Sequence, residues 1–146
     1  MKIHIIQDDN ASEPEVTIIC REITEDIQRA VAAVRAINSF VLTGVKDRQT
    51  FILQPCDVVY IDTTDKRTFI YTAGDIYETP LKLYELEEQL PDADFFRANK
   101  SCIVNIRHIR SIRADIDGRL LLTMDSSEKL WISRQYARDF RNKIGM

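Results

Sequence analysis

The chain is short of the residues that most often carry catalysis, metal binding or phosphate loops. It has 146 residues with only four glycines, and none of them builds a glycine-rich phosphate loop. Two histidines, His4 and His108, and three widely separated cysteines, Cys20, Cys56 and Cys102, match no metal-ligand spacing. Neither a metal nor a cofactor is therefore expected. An odd cysteine count without paired spacing fits reduced thiols in a cytoplasmic protein. No apolar run approaches the roughly 18–20 residues that a membrane span needs. The stretch Met1–Asp9 turns acidic too soon for a signal peptide, so no membrane partner is expected. Against these absences stand 45% hydrophobic and 29% charged residues, the balance of a soluble globular fold.

The net charge of −3 hides a polarity along the chain. Residues 47–96 carry 4 Lys/Arg against 11 Asp/Glu, whereas residues 97–146 carry 11 against 5. Screening at physiological salt acts over about 8 Å, so a local basic surface attracts phosphate even on an acidic molecule.

Two regions differ in period. Residues 1–38 read as a small β-β-α appendage, with strands at Ile3–Ile6 and Glu15–Arg21 and a helix that Thr24 caps. Ile23, Ile27, Ala30, Val31 and Val34 recur on one face of that helix. From residue 39 to 146 the period becomes two, with turn residues every 8 to 12 positions, as in an antiparallel β-rich domain. Within it a helix is expected over Leu81–Leu90, opened by Thr79-Pro80 and buried through Leu83, Leu86 and Leu90. Asp117-Gly118 marks a tight hairpin. Ser133 can cap a terminal helix in which Tyr136, Phe140 and Ile144 repeat. The fold class is mainly β, α+β overall.

The candidate chemistry lies in three polar segments at strand ends: Lys66-Arg67, Arg97-Ala98-Asn99-Lys100-Ser101 and Ser133-Arg134-Gln135-Tyr136. Arg and Lys grip phosphates or guanine edges, Asn and Gln pair with adenine, and Ser adapts to either. Arg134, Arg138 and Arg141 also align along one face of the terminal helix. On chemistry alone a simple solvated face explains these charges about as well. An enzyme would need a nucleophile with a base, or paired carboxylates. Asp57 and Asp62 stand five apart on a strand and so face opposite ways, and no catalytic residue is expected.

The order and wording of these segments resemble a known family. Phe96-Arg97-Ala98-Asn99-Lys100-Ser101-Cys102-Ile103-Val104-Asn105, then Ile109-Arg110-Ser111-Ile112, Gly118, Leu120 and Ile132-Ser133-Arg134, look like the LytTR-type DNA-binding domain. The resemblance spans about residues 40–145. It implies a β fold whose strand-end loops, not a recognition helix, enter successive major grooves of double-stranded DNA. Carried over by position, the contacts fall on Lys66, Arg67, Asn99, Lys100, Ser101, Arg134, Gln135 and Arg138. Family members commonly carry an N-terminal receiver domain. Only residues 1–38 precede the domain here, so phosphorylation control is not expected.

The expectation is a cytoplasmic transcriptional regulator that binds duplex DNA in sequence-specific fashion and homodimerises through residues 1–38. Two rivals remain at this point: a single-stranded RNA or DNA-binding module, and a protein-interaction module that has lost DNA binding. The first needs Phe51, Tyr60, Phe69 and Tyr71 exposed as stacking platforms.

Overall fold

The computed structural model describes residues 1–146, apart from the side chains of residues 36–39. Two units are present, Met1–Arg35 and Ala36–Met146.

The helix α1 (Glu25–Ser39), which begins in the first unit, forms as its pattern requires. Acidic Glu25 and Asp26 sit at the positive end of its dipole, and the Thr24 carbonyl accepts from the Gln28 N–H at 3.0 Å. Ile27, Ala30, Val31 and Val34 are its half-buried positions, while Ile23 stays exposed. The two strands expected before it are absent. Ile3–Ile6 and Glu15–Arg21 pair with nothing among the described residues. The reason is physical: β propensity needs a partner strand to receive the backbone hydrogen bonds, and within this unit neither segment pairs with the other. Only a turn at Asp8–Ala11 is hydrogen-bonded between them, through the Ala11 N–H on the Asp8 carbonyl.

The second unit is built on strands. Ten strands follow: β1 (Leu42–Lys46), β2 (Gln49–Leu53), β3 (Val58–Thr64), β4 (Arg67–Thr72), β5 (Ile76–Thr79), β6 (Phe95–Asn99), β7 (Cys102–Asn105), β8 (Ile109–Ala114), β9 (Leu120–Met124) and β10 (Lys129–Ile132). The first seven make one antiparallel sheet in the order β2-β1-β5-β4-β3-β7-β6; the last three make a second, β10-β9-β8. A short helix, α2 (Leu83–Gln89), links β5 to β6, and α3 (Arg134–Ile144) ends the chain.

Alternation along the central strands divides the core in two. One face of the large sheet, with Tyr60, Cys102 and Val104, packs on the second sheet and α3 through Leu122, Ile132 and Phe140. The other face, with Ile61, Ile70 and Ile103, packs on α2 through Leu83, Leu86 and Leu90. Fully burying a side chain of this size contributes roughly 1.5–3 kcal/mol, so α3 is held by its Phe140 stripe and not by helix propensity. The helix expected over Leu81–Leu90 is shorter. It starts after Lys82, whose N–H donates to Glu85 Oε1 at 3.1 Å, leaving Pro80 ahead of it.

Two hairpins turn through left-handed residues. Asp47-Arg48 joins β1 to β2, and Asp65-Lys66 joins β3 to β4, each with both φ values between 51° and 65°. That geometry matches the right-handed twist of the paired strands, although side chains other than Gly or Asn adopt it at a cost. At the other end of β3, the imidazole of His108 bridges the Cys56 carbonyl and the Asp125 carboxylate at 2.7 and 2.6 Å. Both partners are acceptors, so the ring satisfies them only as the doubly protonated cation.

Candidate nucleic-acid interface

Antiparallel pairing brings the three polar segments to one end of the fold. Asp62 pairs with Cys102, and the Thr63 N–H donates to the Ser101 carbonyl at 2.9 Å. The Asp65-Lys66 turn therefore lies just beyond the β6–β7 loop. On the other side the Ser133 N–H donates to the Ala98 carbonyl at 3.0 Å, fastening the start of α3 beside the same loop. Asn99, Lys100, Ser101, Ser133, Arg134 and Gln135 together line a shallow concavity of about 520 Å³.

The loop between β6 and β7 is held by two side chains. Asn99 Oδ1 accepts from the Ser101 N–H at 2.9 Å, and its Nδ2 donates to the Trp131 carbonyl at 2.9 Å. The amide is thereby fixed in plane, with one N–H and one lone pair left over. Sequence alone assigns Arg97 no separate role in the polar segment. Its Nε donates to the Asn99 carbonyl at 2.7 Å and its Nη2 to the Lys100 carbonyl at 2.6 Å, while Nη1 pairs with Glu87 after α2 begins. A guanidinium that caps two successive loop carbonyls presents the Lys100 and Ser101 side chains outward, and both are exposed. The signal was its position, on β6 two residues before the loop, where a long donor reaches back over the turn.

Ion pairing sorts the cations. Arg67 makes a two-pronged bond to Glu78, Nε to Oε1 at 2.8 Å and Nη2 to Oε2 at 2.7 Å, and its guanidinium lies 5.2 Å from the Phe69 ring centre. The two Nη1 hydrogens and the second Nη2 hydrogen remain to meet a ligand. Arg107 pairs with Asp94, Lys143 with Asp92, and Arg119 with Asp115 and Asp117 while stacking 4.3 Å from the Trp131 ring centre. Lys66, Lys100, Arg134, Arg138 and Arg141 make no ion pair among the described residues. Of these, Lys66, Lys100, Arg134 and Arg138 are exposed. The Arg134 stem runs over Gly118 in the β8–β9 turn, where a Cβ would come within 3.1 Å of it and where φ is +89°. The positive φ favours glycine there, and a Cβ would crowd the Arg134 stem.

Behind the loops lies a partly buried polar cluster. Burial raises the Asp62 carboxyl above the usual carboxylate range, partly offset by the Tyr71 hydroxyl. Burial and the neighbouring Asp62 push Tyr71 up to about 12. Burial likewise pushes the Cys102 thiol up to about 12, which keeps it protonated and unreactive at neutral pH. Tyr60 is buried and stacks on Tyr71, with ring centres 4.2 Å apart, and Phe69 is half-buried. Phe51 is the one of the four that stands exposed, on the edge strand β2.

A family model described as the LytTr DNA-binding domain matches residues 48–145. The chain belongs to this family. The LytTR assignment covers every strand from β2 onward and all three polar loops. A solved LytTr DNA-binding domain from Bacillus cereus superposes with a TM-score of 0.70 at 31% identity, covering 73% of this chain and 97% of that one. Proteins of Staphylococcus aureus strains NCTC 8325 / PS 47 and COL, described as uncharacterized HTH-type transcriptional regulators, are each 26% identical over 147 residues. Those alignments cover 100% of this chain and 99% of each relative. The described residues of this chain contain no helix-turn-helix. Its helices are separated by five strands each, and the LytTR sheets occupy that place. No described helix is long and apolar enough to cross a membrane.

Proposed function

We propose that this protein is a transcriptional regulator that reads duplex DNA through the loops at one end of its LytTR sheets. The observation that carries the reading is the concavity formed by Asn99, Lys100, Ser101, Ser133, Arg134 and Gln135, whose cations have no carboxylate partner among the described residues. Lys100, Ser101 and Gln135 then reach base edges, with Asn99 as a fixed amide between them. Lys66, Arg134 and Arg138 take phosphates, and Arg67 adds its remaining Nη1 and Nη2 hydrogens. The buried or half-buried state of Tyr60, Phe69 and Tyr71 favours a duplex over a stacked single strand. Bacterial operators are commonly read by dimers, since doubling the contacts multiplies specificity, and residues 1–38 with their exposed apolar side chains supply a homodimer contact.

Fluorescence anisotropy on operator duplexes selected from a random pool tests this. Four cations on phosphate in each copy, Lys66, Arg67, Arg134 and Arg138, give a log–log salt slope of about −3.6 or steeper. Lys100→Ala costs about 1–3 kcal/mol on the preferred site and relaxes discrimination, whereas Arg138→Ala weakens all sequences alike and flattens the slope by about one unit. A flat salt response, or equal competition by single strands, refutes the reading.

A further inference from the structure

The segment Glu15–Arg21 has the composition of a strand and no strand to pair with. Among the described residues no backbone hydrogen bond is formed between residues 12 and 23. Val16 is 65% exposed and Ile19 94% exposed. A segment of this kind, with unpaired N–H and C=O groups and apolar side chains, can serve as a template for another strand.

Its charges decide which strand fits. An antiparallel pairing with an identical segment, centred on Ile18, sets Glu15 opposite Arg21 at both ends. It also sets Val16 opposite Cys20 and Ile18 opposite its own copy. Because side chains alternate, Val16, Ile18 and Cys20 from both copies then make one continuous apolar face. The two Glu–Arg pairs, with Thr17 and Ile19, make the other. Shifting the centre to 18.5 puts Glu15 against Glu22, and parallel pairing stacks like charges on each other, so both are disfavoured. Pro14, which cannot donate, falls at the end of the strand. The arrangement is isologous, as a twofold dimer requires.

We propose that Glu15–Arg21 pairs antiparallel with the same segment of a second copy, with Ile18 on the twofold axis. This rests on the homodimer reading and specifies its contact. The shared two-stranded layer presents its apolar face for the α1 stripe of Ile27, Ala30, Val31 and Val34, which the single copy leaves half-buried.

Single cysteines in the full-length chain test the register, in a Cys20→Ser, Cys56→Ser background that removes the two exposed thiols. Under mild oxidation Ile18→Cys cross-links two chains, whereas Val16→Cys in the same background does not, since its partner is position 20. Restoring Cys20 makes Val16→Cys cross-link. Sedimentation gives the second readout. Glu15→Arg and Arg21→Glu each weaken the dimer roughly tenfold, and the double exchange restores it. Cross-linking at 18 and at 16/20 with charge rescue establishes the pairing. A dimer that ignores these substitutions overturns the pairing and leaves dimerisation standing, and a monomer at all concentrations overturns both. Duplex affinity measured on the same samples judges the DNA-binding reading separately.

Discussion

Removing Arg97 separates loop geometry from loop charge. The side chain is 22% exposed and makes three contacts: the Asn99 carbonyl at 2.7 Å, the Lys100 carbonyl at 2.6 Å, and Glu87. A hydrogen bond from a charged donor is worth about 1.5–3 kcal/mol, and the more exposed of the two carbonyl bonds contributes toward the low end. The Glu87 pair is exposed on the acidic side and adds about 0–1 kcal/mol. Arg97→Ala should therefore lower the unfolding free energy by about 3–5 kcal/mol. Urea titration can follow this through Trp131, the one tryptophan, whose carbonyl receives the Asn99 amide. Duplex affinity should fall at least about tenfold under conditions where the variant is still folded, because Lys100 and Ser101 lose their fixed presentation. Arg97→Lys should recover less than half of each loss, since a compact ammonium cannot span two successive carbonyls. Glu87→Ala should leave affinity nearly unchanged. If Arg97→Ala binds the preferred duplex as tightly as the unaltered chain, the guanidinium does not set the loop and the reasoning fails.

Two further outcomes are expected. Burial of the His108 ring opposes its proton, but the Cys56 carbonyl and the Asp125 carboxylate outweigh that, with Asp57 adding to them, so its pKa stands above the usual histidine value. A raised folded pKa means stability that is complete below the unfolded value of about 6.5 and is lost as pH rises through the folded one. Thermal melts should show the midpoint falling across that window and His108→Gln abolishing the fall; a parallel decline in the variant would place the titration elsewhere. Lys66 holds φ at 65° in the β3–β4 turn, so Lys66→Gly should stabilise the fold by about 0.5–1 kcal/mol while weakening duplex binding. Loss of both stability and affinity would show that the turn carries no strain.

Much of the fold follows from local pattern, because the side-chain period of a strand is two and that of a helix 3.6. The strands over Asp57–Asp62 and Thr68–Thr72, the hairpin at Asp117-Gly118, and the α3 stripe of Tyr136, Phe140 and Ile144 are all legible from spacing alone, although pairing extends β3 and β4 into the polar link, to Thr64 and Arg67. So was the location of the polar loops, since strand ends are marked by turn residues. The failures at Ile3–Ile6 and Glu15–Arg21 have one cause. A strand exists only when paired, and no local rule names the partner. The position of β5 between β1 and β4 likewise depends on contacts far apart in sequence. The same holds for charge. Arg67 and Lys66 read alike in the sequence, yet Glu78, eleven residues on, reaches Arg67 across the β4–β5 pairing and leaves Lys66 alone. Arg119 is neutralised by its own hairpin, whereas Arg134, lying over Gly118, is not. Which residues are basic was determined by the sequence. Which of them remain free to meet a phosphate was decided by the tertiary fold, because a salt bridge requires two charges within about 4 Å and only folding brings them there.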